Sequence, residues 1–261
     1  MRQIYGDDAN QFGDLTLPAA DAVDGPVPVV MLIHGGFWRT GFGLELMEPL
    51  VPSLIETGAA VWNVEYRRVG GGSEGGGGFP ETFDDLAAAL DLLAHQSADV
   101  TGRLDLARVA TVGHSAGGHL AVWLASLTSL PDDAPWAVPT VRPSLAVSQA
   151  GVLDLERCIG DRIGGTACSD LLGRTDLDAR IAVGSPAALL PIDARVVAVH
   201  GTGDAIVPIE QSEQYVADAT SAGCDAELVA IDGADHFAVI DPKHAAWDAV
   251  LSALAAHFGS G

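Results

Sequence analysis

Lysine is almost missing from this chain of 261 residues. Lys243 is the only one, and the 13 basic residues face 35 acidic ones, for a formal net charge of −22. Such a balance repels phosphate backbones and anionic headgroups, so nucleic acid and membrane surfaces are excluded as partners. Long hydrophobic runs are absent too. Gly, Pro, Asp or His interrupts every apolar stretch before it reaches the roughly 18 residues of a membrane span. The amino terminus, Met1-Arg2-Gln3-Ile4-Tyr5-Gly6-Asp7-Asp8, has no basic head leading into an apolar segment, so the expectation is a soluble chain without an export signal. Cysteine is scarce. Cys158, Cys168 and Cys224 show no metal-ligand spacing. An odd number of thiols suits a reducing cytoplasm, with idle thiols as the default, although Cys158 and Cys168 are near enough in sequence to bridge a loop.

What is present is apolar and glycine-rich: 48% hydrophobic residues and 31 glycines. That suffices for one sizeable core, and one domain over residues 1–261 is the starting expectation. The acids are scattered rather than gathered in a tail, which reads as a solvated surface. Excess carboxylate suits a salt-rich habitat, whereas arginine in place of lysine follows equally from base composition. A homodimer stays open.

Continuous β-branched runs alternate with helical periodicity along most of the chain. Val27 to Ile33, Ala59 to Val64, Leu106 to Val112, Ser144 to Gln149, Arg195 to Val199 and Ala226 to Ile231 read as buried strands. Leu44 to Thr57, with breaks allowed at Pro49 and Pro52, reads as helix, as do Glu81 to Gln96, Ser115 to Ser126, Pro208 to Ala222 and Pro242 to Phe258. The segment from Gly70 to Gly78 is nearly all glycine and reads as a mobile surface loop. Periodicity fails from Gly151 to Leu190, which suggests a small, partly helical cap. This alternation predicts an α/β architecture, a mostly parallel, doubly wound sheet with its ligand site at the carboxyl ends of the strands.

Four glycine turns sit at those strand ends. In Gly113-His114-Ser115-Ala116-Gly117-Gly118 a serine lies between strand and helix, where a strained turn projects its hydroxyl and the helix start aims N–H groups at whatever it attacks. In His34-Gly35-Gly36-Phe37-Trp38 the backbone N–H groups of Gly36 and Phe37, with that of Ala116, can meet a developing oxyanion. Serine needs a base, and the base needs an orienting acid. His200-Gly201-Thr202-Gly203-Asp204 supplies Asp204, and Asp232-Gly233-Ala234-Asp235-His236-Phe237 supplies His236. Asp232 and Asp235 are too near His236 along the chain to reach its far nitrogen easily. His114 and His119 read most simply as packing residues, and His34 and His200 as pins of glycine turns.

Together these motifs resemble the α/β-hydrolase esterases, in the hormone-sensitive-lipase and kynurenine-formamidase branch, and the resemblance spans most of the chain. It implies an α/β-hydrolase fold and hydrolysis of a small-molecule ester through an acyl-enzyme, with no cofactor and no metal. An aryl formamide is the alternative substrate, and a small-molecule receptor on the same scaffold the alternative role. Phe37-Trp38 tilts the resemblance to the formamidase side, with Trp38, Phe37 or Tyr66 stacking on a substrate ring; Trp38, Tyr66 and His114 are the candidate substrate contacts. The glycine-rich loop and the short segment 151–190 depart from lipases with large lids.

Overall fold

The structure, a computed structural model, describes residues 1–21, 24–73, 75–96 and 98–259. Glu74, within the glycine segment read as a mobile loop, lies outside the described residues. Eight strands form one sheet: β1 (Arg2–Ile4), β2 (Phe12–Thr16), β3 (Val27–Ile33), β4 (Ala60–Val64), β5 (Leu104–His114), β6 (Leu145–Gln149), β7 (Arg195–Gly201) and β8 (Ala226–Ile231). Their spatial order is β1-β2-β4-β3-β5-β6-β7-β8. Strands β3 to β8 run parallel, and β1 and β2 add an antiparallel edge.

Nine α-helices connect or follow the strands among the described residues: α1 (Val51–Glu56), α2 (Glu81–Asp91), α3 (Ala98–Thr101), α4 (Ala116–Ala125), α5 (Leu155–Gly160), α6 (Ala167–Leu172), α7 (Leu177–Gly184), α8 (Glu210–Ser221) and α9 (Ala245–Phe258). None is long and apolar enough to cross a membrane. The strand period of two sorts β3 between the layers. Val29, Met31 and Ile33 pack into the cluster that holds residues of α2 and α4, while Val30 and Leu32 join the cluster of α1 and α9. Being buried on both faces is why β3 reads as an unbroken apolar run.

Two expectations change. The stretch 44–57 is not one helix: 3₁₀ turns at Leu44–Leu46 and Glu48–Leu50 precede the short α1. Pro49 and Pro52 lack the N–H that a continuous helix would use. The glycine segment is also less free than its composition suggests. Gly75 and Gly78 are buried, the Gly77 N–H donates to the Arg68 carbonyl, and a Cβ on Gly77 would overlap the Arg67 backbone. Glycine is needed there for close approach of two backbones.

The site follows from topology. The chain leaves β3 for β4 on one side and returns to β5 on the other, so the loops after β3 and β5 flank a switch point. Ile33 pairs with Gly113 across β3 and β5, which sets the two glycine motifs side by side.

Candidate active site

Ser115 occupies the turn from β5 into α4, with φ of 56° and ψ of −117°. A positive φ is costly for a side chain with a Cβ and persists only where surroundings enforce it. Here the Ser115 N–H donates to the Gln149 carbonyl at 2.8 Å, and the His119 N–H donates to the Ser115 carbonyl at 3.1 Å. The glycines are demanded by packing. A Cβ on Gly113 would overlap the Gly117 carbonyl, and one on Gly118 would lie 2.8 Å from the Cα of Gly151. The turn therefore brings β5, α4 and the chain after β6 closer than any side chain permits. The Ala116 N–H falls in the first turn of α4, where helical N–H groups have no partner within the helix and the dipole is positive.

The loop after β3 presses on this turn. A Cβ on Gly35 would lie 2.9 Å from His114 Nδ1 and 3.1 Å from Ser115 Cβ. Gly36, Phe37 and Trp38 take positive φ values of 113°, 52° and 56° in succession, so the backbone bends sharply beside the serine. The aromatics depart from expectation. Trp38 has no exposed surface, and its Nε1–H donates to His119 Nδ1 at 3.2 Å. Tyr66 is equally buried, stacked on His34 at 4.3 Å with its hydroxyl donating to the His34 carbonyl. Neither offers a face to a substrate ring; both hold the loop in place. Phe37 is only partly buried, and its ring fills the space beside Gly164. Arg39 adds a second tie to the 151–190 segment, bonding Asp170 at 2.8 Å and Thr166 at 2.9 Å.

The loops after β7 and β8 meet at Asp204 and His236. His236 Nδ1 lies 2.6 Å from Asp204 Oδ2. The same carboxylate oxygen lies 3.3 Å from His200 Nε2, and Oδ1 accepts the N–H groups of Ile206 and Val207 at 2.8 and 2.9 Å. Burial pushes the Asp204 carboxyl up, but the bonds from His200, His236, Val207 and Ile206 outweigh it and hold the group well below the usual carboxylate range. His200 thus does more than pin a turn, and its link to Asp204 was missed in the sequence. Asp235 turns the other way, accepting from the N–H groups of Phe237 and Ala238.

His114 is not a substrate contact. It is 1% exposed, its Nε2 donates to the His236 carbonyl at 2.9 Å, and its ring lies 4.6 Å from that of His236. Burial and the neighbouring His236 ring pull it down to about 3, so it is neutral. It joins the end of β5, one residue before the serine, to the loop carrying His236. Three large apolar side chains stay exposed beside these groups: Phe42 against Gly36, Ile206 two residues after Asp204, and Phe237 with its ring 5.5 Å from that of His236. Of these, only Phe237 lay in a quoted motif.

Glu65 was also unforeseen. It is 5% exposed, and its carboxylate meets His34 Nε2 at 2.9 Å, the Tyr66 N–H at 2.9 Å and the Leu44 N–H at 3.1 Å. The one signal was an acid set directly after a buried strand. The cysteines differ from expectation as well: Cys158 and Cys168 form a disulfide between α5 and α6, and Cys224 is free. The packing of α5 against α6 brings the two sulfurs together, which sequence distance alone could not decide.

Known proteins resemble this chain in varying degree. The chain is 33% identical to Carboxylesterase NlhH of Mycobacterium tuberculosis over 102 residues, which is 39% of this chain and 30% of that protein. It is 26% identical over 96% of its length to a rice (Oryza sativa subsp. japonica) protein named Probable isoprenylcysteine alpha-carbonyl methylesterase ICMEL1, and covers 60% of it. The chain thus spans less than two thirds of the length of each of these curated relatives. Among solved structures, the esterase Est2 of Thermogutta terrifontis with propionate bound superposes with a TM-score of 0.75 at 22% identity, over 97% of this chain and 91% of that one. The shared fold is that of the α/β-hydrolases. Since the BD-FAE family model matches residues 14–218, a stretch that includes the His34 loop, the Ser115 turn and Asp204, the chain belongs to the BD-FAE family.

Proposed function

We propose that this protein is a serine carboxylesterase acting on small-molecule esters of short acyl chains through an acyl-enzyme. The observation that carries the reading is the 2.6 Å bond from His236 to a buried, ionised Asp204, on a loop tied to His114, the last residue of the strand that leads into Ser115. Ser115 Oγ attacks the ester carbonyl carbon while His236 takes its proton. Asp204 fixes the tautomer of His236 and stabilises the imidazolium that results. The N–H groups of Gly36, Phe37 and Ala116 receive the oxyanion. Collapse expels the alcohol with the proton from His236, and water repeats the sequence to release the acid.

Relatives named as carboxylesterases and a propionate-bound neighbour support the ester class. Phe42, Ile206 and Phe237 supply apolar surface for a short acyl or alcohol group. We take residues 151–190 as the cap, anchored by Phe37 on Gly164 and by Arg39 on Asp170. The formamidase alternative loses two of its three candidate aromatics, Trp38 and Tyr66, to burial. The disulfide supports an oxidising compartment in place of the reducing cytoplasm expected from the cysteine count.

Ser115→Ala decides the matter. Turnover of p-nitrophenyl acetate should fall by roughly 10⁴-fold or more, and a fluorophosphonate should label Ser115 in the wild type. Near wild-type turnover in the variant, or folded wild type that resists labelling, would sink the reading.

A further inference from the structure

His34 has only acceptors around its ring nitrogens. Nδ1 lies 2.7 Å from the carbonyl oxygen of Gly35, which cannot donate, so Nδ1 carries a proton. Nε2 lies 2.9 Å from Glu65 Oε1. That carboxylate already accepts the N–H groups of Tyr66 and Leu44, with the Arg68 guanidinium 3.5 Å away. Burial pushes the Glu65 carboxyl up, yet the bonds and charges of His34 and Arg68 and the Tyr66 N–H more than offset it and hold it low, hence ionised. An ionised Glu65 makes Nε2 a donor too. Both partners are buried, so the pair is poorly screened.

The Gly35 carbonyl and the Gly36 N–H are two ends of one peptide unit. A charged donor on the carbonyl draws electron density away from the N–H, making it a stronger donor in turn. We propose that Glu65 is a positioning residue for the oxyanion: it holds a protonated His34 ring against the Gly35 carbonyl and so polarises the Gly36 N–H. The inference rests on the reading of Gly36 as an oxyanion donor. It also gives a reason for a buried charge pair beneath a catalytic loop, where an apolar pair would pack with less desolvation.

Two measurements test it. In wild-type protein labelled with ¹⁵N-histidine, NMR at about pH 7.5, where a free imidazole is mostly neutral, should show one ring with both nitrogens protonated. Its contact with the Tyr66 ring assigns it to His34, and the groups facing that ring are Glu65, Tyr66 and, beyond Glu65, Arg68. A His34 ring with a single proton overturns the proposal. In Glu65→Gln the charge is lost with little change of shape, and kcat for p-nitrophenyl acetate should fall by roughly 10- to 100-fold while KM stays within about twofold. Undiminished kcat in folded Glu65→Gln, or a loss confined to KM or thermal stability, overturns it as well. If that variant fails to fold, the wild-type spectrum decides. The spectrum is read without substrate, so its failure leaves the role of Ser115 standing, whereas an active Ser115→Ala would remove the esterase reading and leave the spectrum intact.

Discussion

Gly117 sits so close to the end of β3 that a Cβ there would overlap the carbonyl oxygen of Ile33 and come within 2.5 Å of that of His34. The first turn of α4 thus rests directly on the strand that leads into the Gly35-Gly36 turn, and nothing flexible lies between them to yield. Gly117→Ala should destabilise the protein by about 3 kcal/mol or more through backbone displacement. Denaturant unfolding checks this, and a thermal midpoint within about a degree of wild type would contradict the contact.

Acid should weaken the fold through its buried histidines. His119 is fully buried, donating from Nε2 to the Gly184 carbonyl at 2.8 Å and accepting at Nδ1 from Trp38. A second proton would face the indole N–H. Burial pulls His119 down to about 4. Below about pH 6.5 the unfolded chain therefore takes up a proton that the folded one refuses until about pH 4. Stability from this group is complete above pH 6.5 and declines as pH falls across that window, and His114 acts in the same direction. His119→Gln keeps a donor and an acceptor but does not titrate. Urea unfolding at pH 7 and pH 5 should show the wild type losing about 2 kcal/mol more than the variant. Equal losses would refute the assignment.

The disulfide should act on substrate binding as well as on stability. Gly164, which touches the Phe37 ring, lies inside the loop closed by Cys158 and Cys168. Replacing both cysteines by Ala should cost about 2–3 kcal/mol by freeing that loop in the unfolded chain. It should also raise KM more than it lowers kcat, because Phe37 and the residues around Gly164 lose their fixed spacing while Ser115, His236 and Asp204 keep theirs. Steady-state kinetics on an ester panel would show it. An unchanged KM with unchanged unfolding would mean that the bridge does not organise the segment.

Some of this was legible because the forces are short-range. β3 and the second half of β5 are buried on both faces, so their sequences are apolar without alternation, and each ends in glycines that permit a turn. β1 and β2 escaped notice. Phe12-Gly13-Asp14-Leu15-Thr16 has too little apolar character to signal a strand, and it becomes one by pairing with β4 some 50 residues away, where Leu15 meets Trp62. Trp38 and Tyr66 looked available because they adjoin functional loops, yet neighbours distant in sequence cover them.

The amino-acid order alone determined the six parallel strands β3 to β8, most of the helices between them, and which turns can bear a serine, an acid and a histidine. Hydrophobic periodicity and glycine's tolerance of positive φ act within a few residues, so they can be read from the chain itself. Only tertiary structure decided that Asp204 is gripped by His200 as well as His236, that Glu65 reaches His34 across 31 positions, and that two sulfurs join. Those outcomes turn on which buried donor finds which acceptor after the layers pack, a matter of distance in space that no local pattern encodes.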